Sequence, residues 1–165
     1  MSLNESILGE LQYETKVTRS MLERVPEDKL TWKPHEKSMS LGQLSSHIAE
    51  IPGWTVTTIE DEELDFAKSN YKPIEITSRA QLLKMFDDNV VKAVDSLKKA
   101  TDETLMANWK MRSGEKIFFD MPRTQVLRGF ILNHGVHHRG QLSVYLRLNN
   151  VSLPPVYGPT ADEGN

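Results

Sequence analysis

The sequence lacks several features, and each absence excludes a class of protein. It has no cysteine among 165 residues, which excludes disulfides, thiolate metal ligands and a cysteine nucleophile. No apolar run approaches the ~18 residues that a membrane span needs. With 20 basic and 23 acidic residues and a net charge of −3, the chain lacks the basic excess expected of a nucleic-acid-binding protein. We therefore expect neither nucleic acid nor a membrane as a partner.

The length and the N-terminus set the remaining broad expectations. A chain of 165 residues favours a single domain, 1–165, with room for a real core. The first ten residues are polar and amphipathic, without the basic region and apolar stretch of a secretory signal. The sequence thus predicts a cytoplasmic protein.

Four long stretches show the apolar spacing of helices. The first runs from Leu3 to Val25, and Pro26 ends it. The second begins at Ser40, which stands in capping-box spacing with Gln43, and Pro52 should kink it. The others run from about Ser78 to Ala100 and from Pro122 to about Leu148. These stretches predict an all-α fold, a four-helix bundle.

Three segments outside these helices have their own character. The acidic stretch 60–73 is predicted to be irregular, and Ser113-Gly114 indicates a short hairpin or irregular segment between helices three and four. The tail 150–165 contains too much proline and glycine for a helix. We expect the tail to be non-helical.

Three histidines form the candidate metal site. His134 and His138 are four residues apart in the middle of the apolar stripe of helix four, a spacing at which both imidazoles can reach one ion. His47 lies on the flank of the stripe of helix two. Three neutral imidazoles with an open fourth position are typical of a catalytic metal site. Two alternatives stay open: these are core histidines without a metal, or His137 replaces His138.

Other side chains are candidates for supporting roles. Gln141 lies close to the ligand face and is a candidate for orienting a ligand or substrate, and Glu50 is a candidate acceptor for an imidazole N–H. Packing for Gln141 and solvation for Glu50 are the competing interpretations. Three tryptophans could line a pocket or simply fill the core: Trp32, Trp54 and Trp109. His35, in a proline-containing loop, is expected at the surface.

The motifs together resemble the DinB/YfiT-like superfamily. The resemblance rests on Trp32-Lys-Pro34 and on the Ser40–His47 segment that opens helix two. It also rests on Asn133–Gln141 in helix four, and on Leu153-Pro-Pro-Val-Tyr-Gly-Pro159 followed by Asp162-Glu163. It implies a four-helix bundle, commonly a homodimer, in which three histidines hold zinc or nickel. Carried over by position, these ligands are His47, His134 and His138.

The resemblance also implies a type of chemistry. Characterised members include S-transferases that use low-molecular-weight thiols such as bacillithiol, and a thiol-dependent isomerase. We therefore expect a metal-dependent enzyme that transfers a small thiol cosubstrate to a small-molecule electrophile. One alternative is a metal-dependent hydrolase of an amide or ester, and another is a non-catalytic dimeric bundle with a structural metal. The residue that acts as general acid or base is not assigned by the sequence.

Overall fold

Helices make up the larger part of the fold. The computed structural model describes residues 2–164, and the core is formed by apolar side chains buried between helices. The first helix packs against the fourth and seventh, and the second also packs against both. In chain order the α-helices are α1 (Leu3–Leu22), α2 (Leu41–Glu50), α3 (Trp54–Glu60), α4 (Arg79–Lys99), α5 (Asp102–Met106), α6 (Arg123–Val126) and α7 (His134–Leu148).

The prediction of an all-α four-helix bundle is wrong, because a three-stranded mixed sheet accompanies the helices in residues 2–164. The strands, in spatial order, are β1 (Glu63–Asp65), β2 (Asn108–Ser113) and β3 (Lys116–Pro122). The pair β1–β2 is parallel and the pair β2–β3 is antiparallel. The turn between β2 and β3 contains Gly114 at φ +58°, a conformation that glycine adopts without strain.

The strand β1 lies inside the acidic stretch that the sequence predicted to be irregular. Its residues pair with β2, 47 positions further along the chain, in the register Glu63 with Lys110 and Asp65 with Arg112. The Arg112 guanidinium lies within ion-pair distance of the carboxylates of both Glu63 and Asp65. Acidic side chains that are typical of a solvated loop thus form ion pairs between β1 and β2.

Proline divides the second predicted helix into two helices, as expected of its missing N–H. Ser40 and Gln43 form the predicted capping box at the start of α2. A 3-10 turn, Ile51–Gly53, then separates α2 from α3, because Pro52 cannot donate the helical hydrogen bond. The Asn89 side-chain amide on α4 donates to the carbonyl oxygen of Ala49 at 2.9 Å, which stabilises the break.

The fourth predicted helix is also not uniform. Between α6 and α7 the segment Leu127–Asn133 is a π-helix, a wider turn that is often found at functional sites. At the first position of α6, the buried Arg123 side chain donates to four backbone carbonyls, those of Thr58, Asp61, Ala107 and Asn108. Arg123 therefore ties the end of α3 to the base of the hairpin.

The segment 151–164 contains neither helix nor strand, and polar contacts attach it to the helices. The Arg139 side chain, buried on α7, pairs with Glu14 of α1 at 2.7 Å and donates to the Tyr157 hydroxyl at 2.5 Å. Arg147 pairs with Asp162 at 2.5 Å. None of the described helices is both long and apolar enough to cross a bilayer.

Candidate metal centre

The three predicted histidines converge on one point although they come from two helices. His47 lies near the end of α2, and His134 and His138 lie in the first two turns of α7. The Nε2 atom of His134 is 3.2 Å from that of His47 and 2.8 Å from that of His138. The packing of α2 against α7 thus brings together side chains that are 87 residues apart.

Hydrogen bonds at the outer ring nitrogens set the tautomers of two of these histidines. The His134 Nδ1 lies 3.2 Å from the carbonyl oxygen of Phe130, and the His138 Nδ1 lies 2.8 Å from the Oε1 of Gln141. Because both oxygens can only accept, each Nδ1 carries the proton and each Nε2 keeps its lone pair. In these tautomers two Nε2 lone pairs face each other across 2.8 Å, an arrangement that a cation bound between them would stabilise.

The π-helical segment makes one of these bonds possible. In a regular α-helix the carbonyl oxygen of Phe130 would accept from the backbone N–H of His134. Here that N–H donates to Ile131 instead, and the Phe130 oxygen accepts from the imidazole ring. The irregular turn thus orients a candidate ligand.

Burial disfavours protonation of the three imidazoles. Desolvation, together with the two neighbouring imidazoles, lowers the pKa of His47 to about 4. Burial, together with the positive charge of nearby imidazoles, also lowers the pKa values of His134 and His138. All three rings are therefore neutral at pH 7, the form that binds metals.

The donor set suits a divalent ion. The candidate ligand atoms all lie within 4.8 Å of one another. The Nε2–Nε2 distances of 3.2 and 2.8 Å are shorter than the ~4.2 Å that two zinc–nitrogen bonds of ~2.1 Å can span. Within residues 2–164, no carboxylate or further imidazole joins this group. Three protein ligands leave a coordination position for a water or a substrate.

A cavity of about 210 Å³ lies beside the histidines, and His47 and His134 form part of its wall. The rest of the wall is apolar or aromatic: Ile51, Trp54, Phe66, Tyr71 and Phe130. The sequence predicts Trp54 as a candidate for the pocket, but not Phe66 or Tyr71. These two residues lie in the segment between β1 and α4, which has no helical periodicity that could indicate an inward-facing side.

The other candidates have different positions. His35 and His137 are both exposed, and His137 is not part of the cluster. Gln141 contacts His138 as a supporting residue. Glu50 is neither an imidazole acceptor nor solvated, since it is 7% exposed. Its carboxylate accepts from the Tyr71 hydroxyl at 2.8 Å and from the Ile74 N–H at 3.1 Å.

Two tryptophans lie away from the cavity. Trp109 is a core residue with 1% exposure, packed in the cluster beneath the sheet. The ring of Trp32 contacts Tyr145 edge-on, with centroids 5.6 Å apart. The pocket interpretation therefore applies to Trp54 and not to Trp32 or Trp109.

These features define a class of protein: a helical fold with an attached sheet, in which two helices bring three imidazoles together beside an aromatic cavity. The chain belongs to the DinB family, whose family model matches residues 1–165. Family and cluster together are compatible with a metal-binding protein.

Relatives are found in Bacillus. The uncharacterized protein YrdA of Bacillus subtilis is 26% identical over 163 residues, which cover 96% of this chain and 90% of YrdA. The uncharacterized protein YjoA of the same species is 26% identical over 157 residues, which cover 93% of this chain and 96% of YjoA.

Solved structures share the fold. A crystal structure of a DinB-like protein from Bacillus cereus superposes with a TM-score of 0.71 at 24% identity, covering 93% of this chain and 97% of the other. The crystal structure of YjoA superposes with a TM-score of 0.73 at 22% identity, covering 92% and 97%. At these identities the likeness establishes the fold alone.

Proposed function

We propose that this protein is a metal-dependent enzyme whose divalent ion is held by the Nε2 atoms of His47, His134 and His138. The observation that carries the proposal is the convergence of the three imidazoles, with the His134 Nε2 lying 3.2 Å from that of His47 and 2.8 Å from that of His138. The Nδ1 protons of His134 and His138 are held by Phe130 and Gln141, so neither ring can turn its own proton inward without losing a hydrogen bond. Zinc and nickel both accept imidazole ligands.

The surroundings of the cluster support a catalytic ion over a structural one. A structural zinc ion is enclosed by four protein ligands, whereas a catalytic ion keeps an open position. The group within residues 2–164 has three ligands, and His47 and His134 border a cavity large enough for a small molecule. We therefore favour catalysis over the alternative of a metal that only joins α2 to α7.

The reaction that we propose is transfer of a small thiol to an electrophile. A divalent ion held by three neutral imidazoles keeps its full 2+ charge and lowers the pKa of a thiol or water bound to it. The chain contains no cysteine, so the sulfur must come from a cosubstrate. The thiol sulfur forms a bond to the electrophilic carbon, the leaving group departs with its bonding electron pair, and the thiol proton passes to water.

The chain's own residues hold and orient the reactants in this proposal. Phe130 and Gln141 keep the ring orientations of His134 and His138 through their Nδ1 protons. The aromatic wall of the cavity presents an apolar surface on one side of the site. A homodimer and a small-molecule substrate stay predictions, and sedimentation equilibrium would test the first of them.

Cobalt substitution tests the proposal, because Co²⁺ reports its ligands by its visible and near-ultraviolet absorption. We expect one Co²⁺ per chain, and a sulfur-to-cobalt charge-transfer band when 2-mercaptoethanol is added. Ethylene glycol, the matched alcohol, should give no such band. Bound cobalt without a charge-transfer band at saturating thiol would overturn thiol transfer and favour the hydrolase. Failure to bind cobalt, zinc or nickel would overturn the metal site itself.

A further inference from the structure

We propose that the cavity beside the histidines binds the uncharged, ring-sized part of the substrate, and that Tyr71 limits the size of the group that it accepts. The inference rests on the proposed function for the chemistry that follows binding. It concerns the apolar wall of the site and not the ligands of the ion.

The wall of the cavity selects an apolar group. Trp54 makes edge or tilted contacts with three other aromatic rings: Phe130 at 5.3 Å, Tyr71 at 5.6 Å and Phe66 at 6.2 Å between centroids. No Lys, Arg, Asp or Glu lines this cavity. A cation that entered it would lose its hydration without gaining an ionic partner, and so would an anion held away from the ion at the histidines, which is unfavourable.

The volume of the cavity sets the size of the group. A dry apolar cavity of ~150 Å³ accommodates benzene, and the cavity here is about 210 Å³. It therefore accepts a single substituted ring or a branched aliphatic group of similar size. Pockets for drug-sized ligands are larger, ~300 to 1,000 Å³, so a fused two-ring group should be a poor fit.

Tyr71 is one of three residues that lie between this cavity and a neighbouring one. A second cavity of about 310 Å³ shares Trp54, Phe66 and Tyr71 with the first. The Tyr71 hydroxyl donates to Glu50 at 2.8 Å, and the other carboxylate oxygen of Glu50 accepts from the Ile74 N–H at 3.1 Å. Since Glu50 is 7% exposed and lies on α2, it anchors the Tyr71 segment to the helix that carries His47.

The phenol is a stable donor in this contact. Burial and the neighbouring carboxylate raise the pKa of Tyr71 to about 12. The hydroxyl therefore stays protonated over the physiological range and keeps its bond to Glu50. Removing the ring should join the two cavities, whereas removing only the hydroxyl should keep the ring between them.

A pair of ligands matched in shape but not in charge tests the apolar selection. Benzamide and benzoate have nearly the same shape but differ in charge, and both would be titrated into chelator-treated and zinc-loaded protein at pH 7. The readout is the indole N–H resonance of Trp54, assigned with Trp54→Phe. In the chelator-treated protein we expect a saturable shift with benzamide and at least tenfold weaker binding of benzoate. In the chelator-treated protein, equal affinities for benzamide and benzoate, or no shift of the Trp54 resonance while the protein is folded, would overturn the proposal.

Two variants test the location and the size limit. Ile51→Phe fills the cavity and should weaken benzamide binding at least tenfold, whereas Val91→Phe, the same type of change at an exposed position of α4, should not. Tyr71→Ala should bind 2-naphthamide at least tenfold more tightly than the parent, and Tyr71→Phe should not. An unchanged 2-naphthamide affinity in folded Tyr71→Ala would contradict the size limit, even if Ile51→Phe fails to fold.

The chelator-treated arm separates this proposal from the proposed function. Benzamide binding without any metal uptake would support the cavity and overturn the metal-dependent enzyme. Metal uptake with no benzamide binding would leave the metal centre intact and overturn the substrate inference.

Discussion

The amide of Gln141 should control metal affinity without controlling the stability of the fold. Its Oε1 accepts from the His138 Nδ1 at 2.8 Å, and the Gln141 side chain is exposed. Loss of such a supporting hydrogen bond costs about 10- to 100-fold in metal affinity, equivalent to about 1.4–2.7 kcal/mol. Gln141→Leu should therefore bind zinc about 10- to 100-fold more weakly with an unchanged stoichiometry.

Competition with a chromophoric chelator measures this effect. Gln141→Glu keeps an acceptor at the same position and should stay close to the parent affinity or exceed it, because a carboxylate makes the stronger hydrogen bond. Gln125→Leu, at an exposed position on α6, is the matched control for the loss of an amide. The reasoning is refuted if Gln141→Leu and Gln125→Leu bind zinc with the same affinity as the parent.

Two further predictions concern the attachment of the tail. Arg139→Leu should lower the free energy of unfolding by about 3–5 kcal/mol, because it leaves Glu14 without its buried partner. Arg128→Leu is the control, because Arg128 forms an exposed pair with Glu10. This control should lose no more than about 1 kcal/mol. Equal losses in urea denaturation would contradict this. Several contacts lower the pKa of Asp162 below its ordinary 3.8, and the hydrogen bond from the Arg147 guanidinium has the largest effect. The folded state therefore binds fewer protons than the unfolded state. This contribution to stability is present above pH 3.8 and is lost as the pH falls through the folded-state pKa. In Asp162→Asn the urea midpoint should therefore depend less on pH in this acid range. An unchanged acid dependence would count against the contact between Arg147 and Asp162.

The sequence could predict the histidine cluster because helical spacing is a local property. Residues four apart on a helix share a face whatever the rest of the fold does, so His134 and His138 could be paired without a structure. Placing His47 with them required only that helices two and four be neighbours. The structure brings the three rings together, because α2 packs against α7.

The sheet and the cavity could not be predicted because they depend on contacts between distant segments. The strand β1 has three residues, two of them acidic, and it exists through pairing with β2. Tyr71 lies in a segment without periodicity, and its position is fixed by the hydrogen bond that its hydroxyl donates to Glu50. The π-helical turn before His134 likewise carries no pattern that distinguishes it from a regular helix.

Metal content per chain tests directly whether His47, His134 and His138 hold an ion. The protein would be purified without an affinity tag or added metal and analysed by elemental analysis, beside the double variant His134→Ala/His138→Ala. His137→Ala is the matched control, because His137 is an exposed histidine on the same helix outside the cluster. The account predicts close to one zinc or nickel ion per chain in the parent and the control, and almost none in the double variant. No metal in the parent, even after incubation with zinc or nickel, would contradict it.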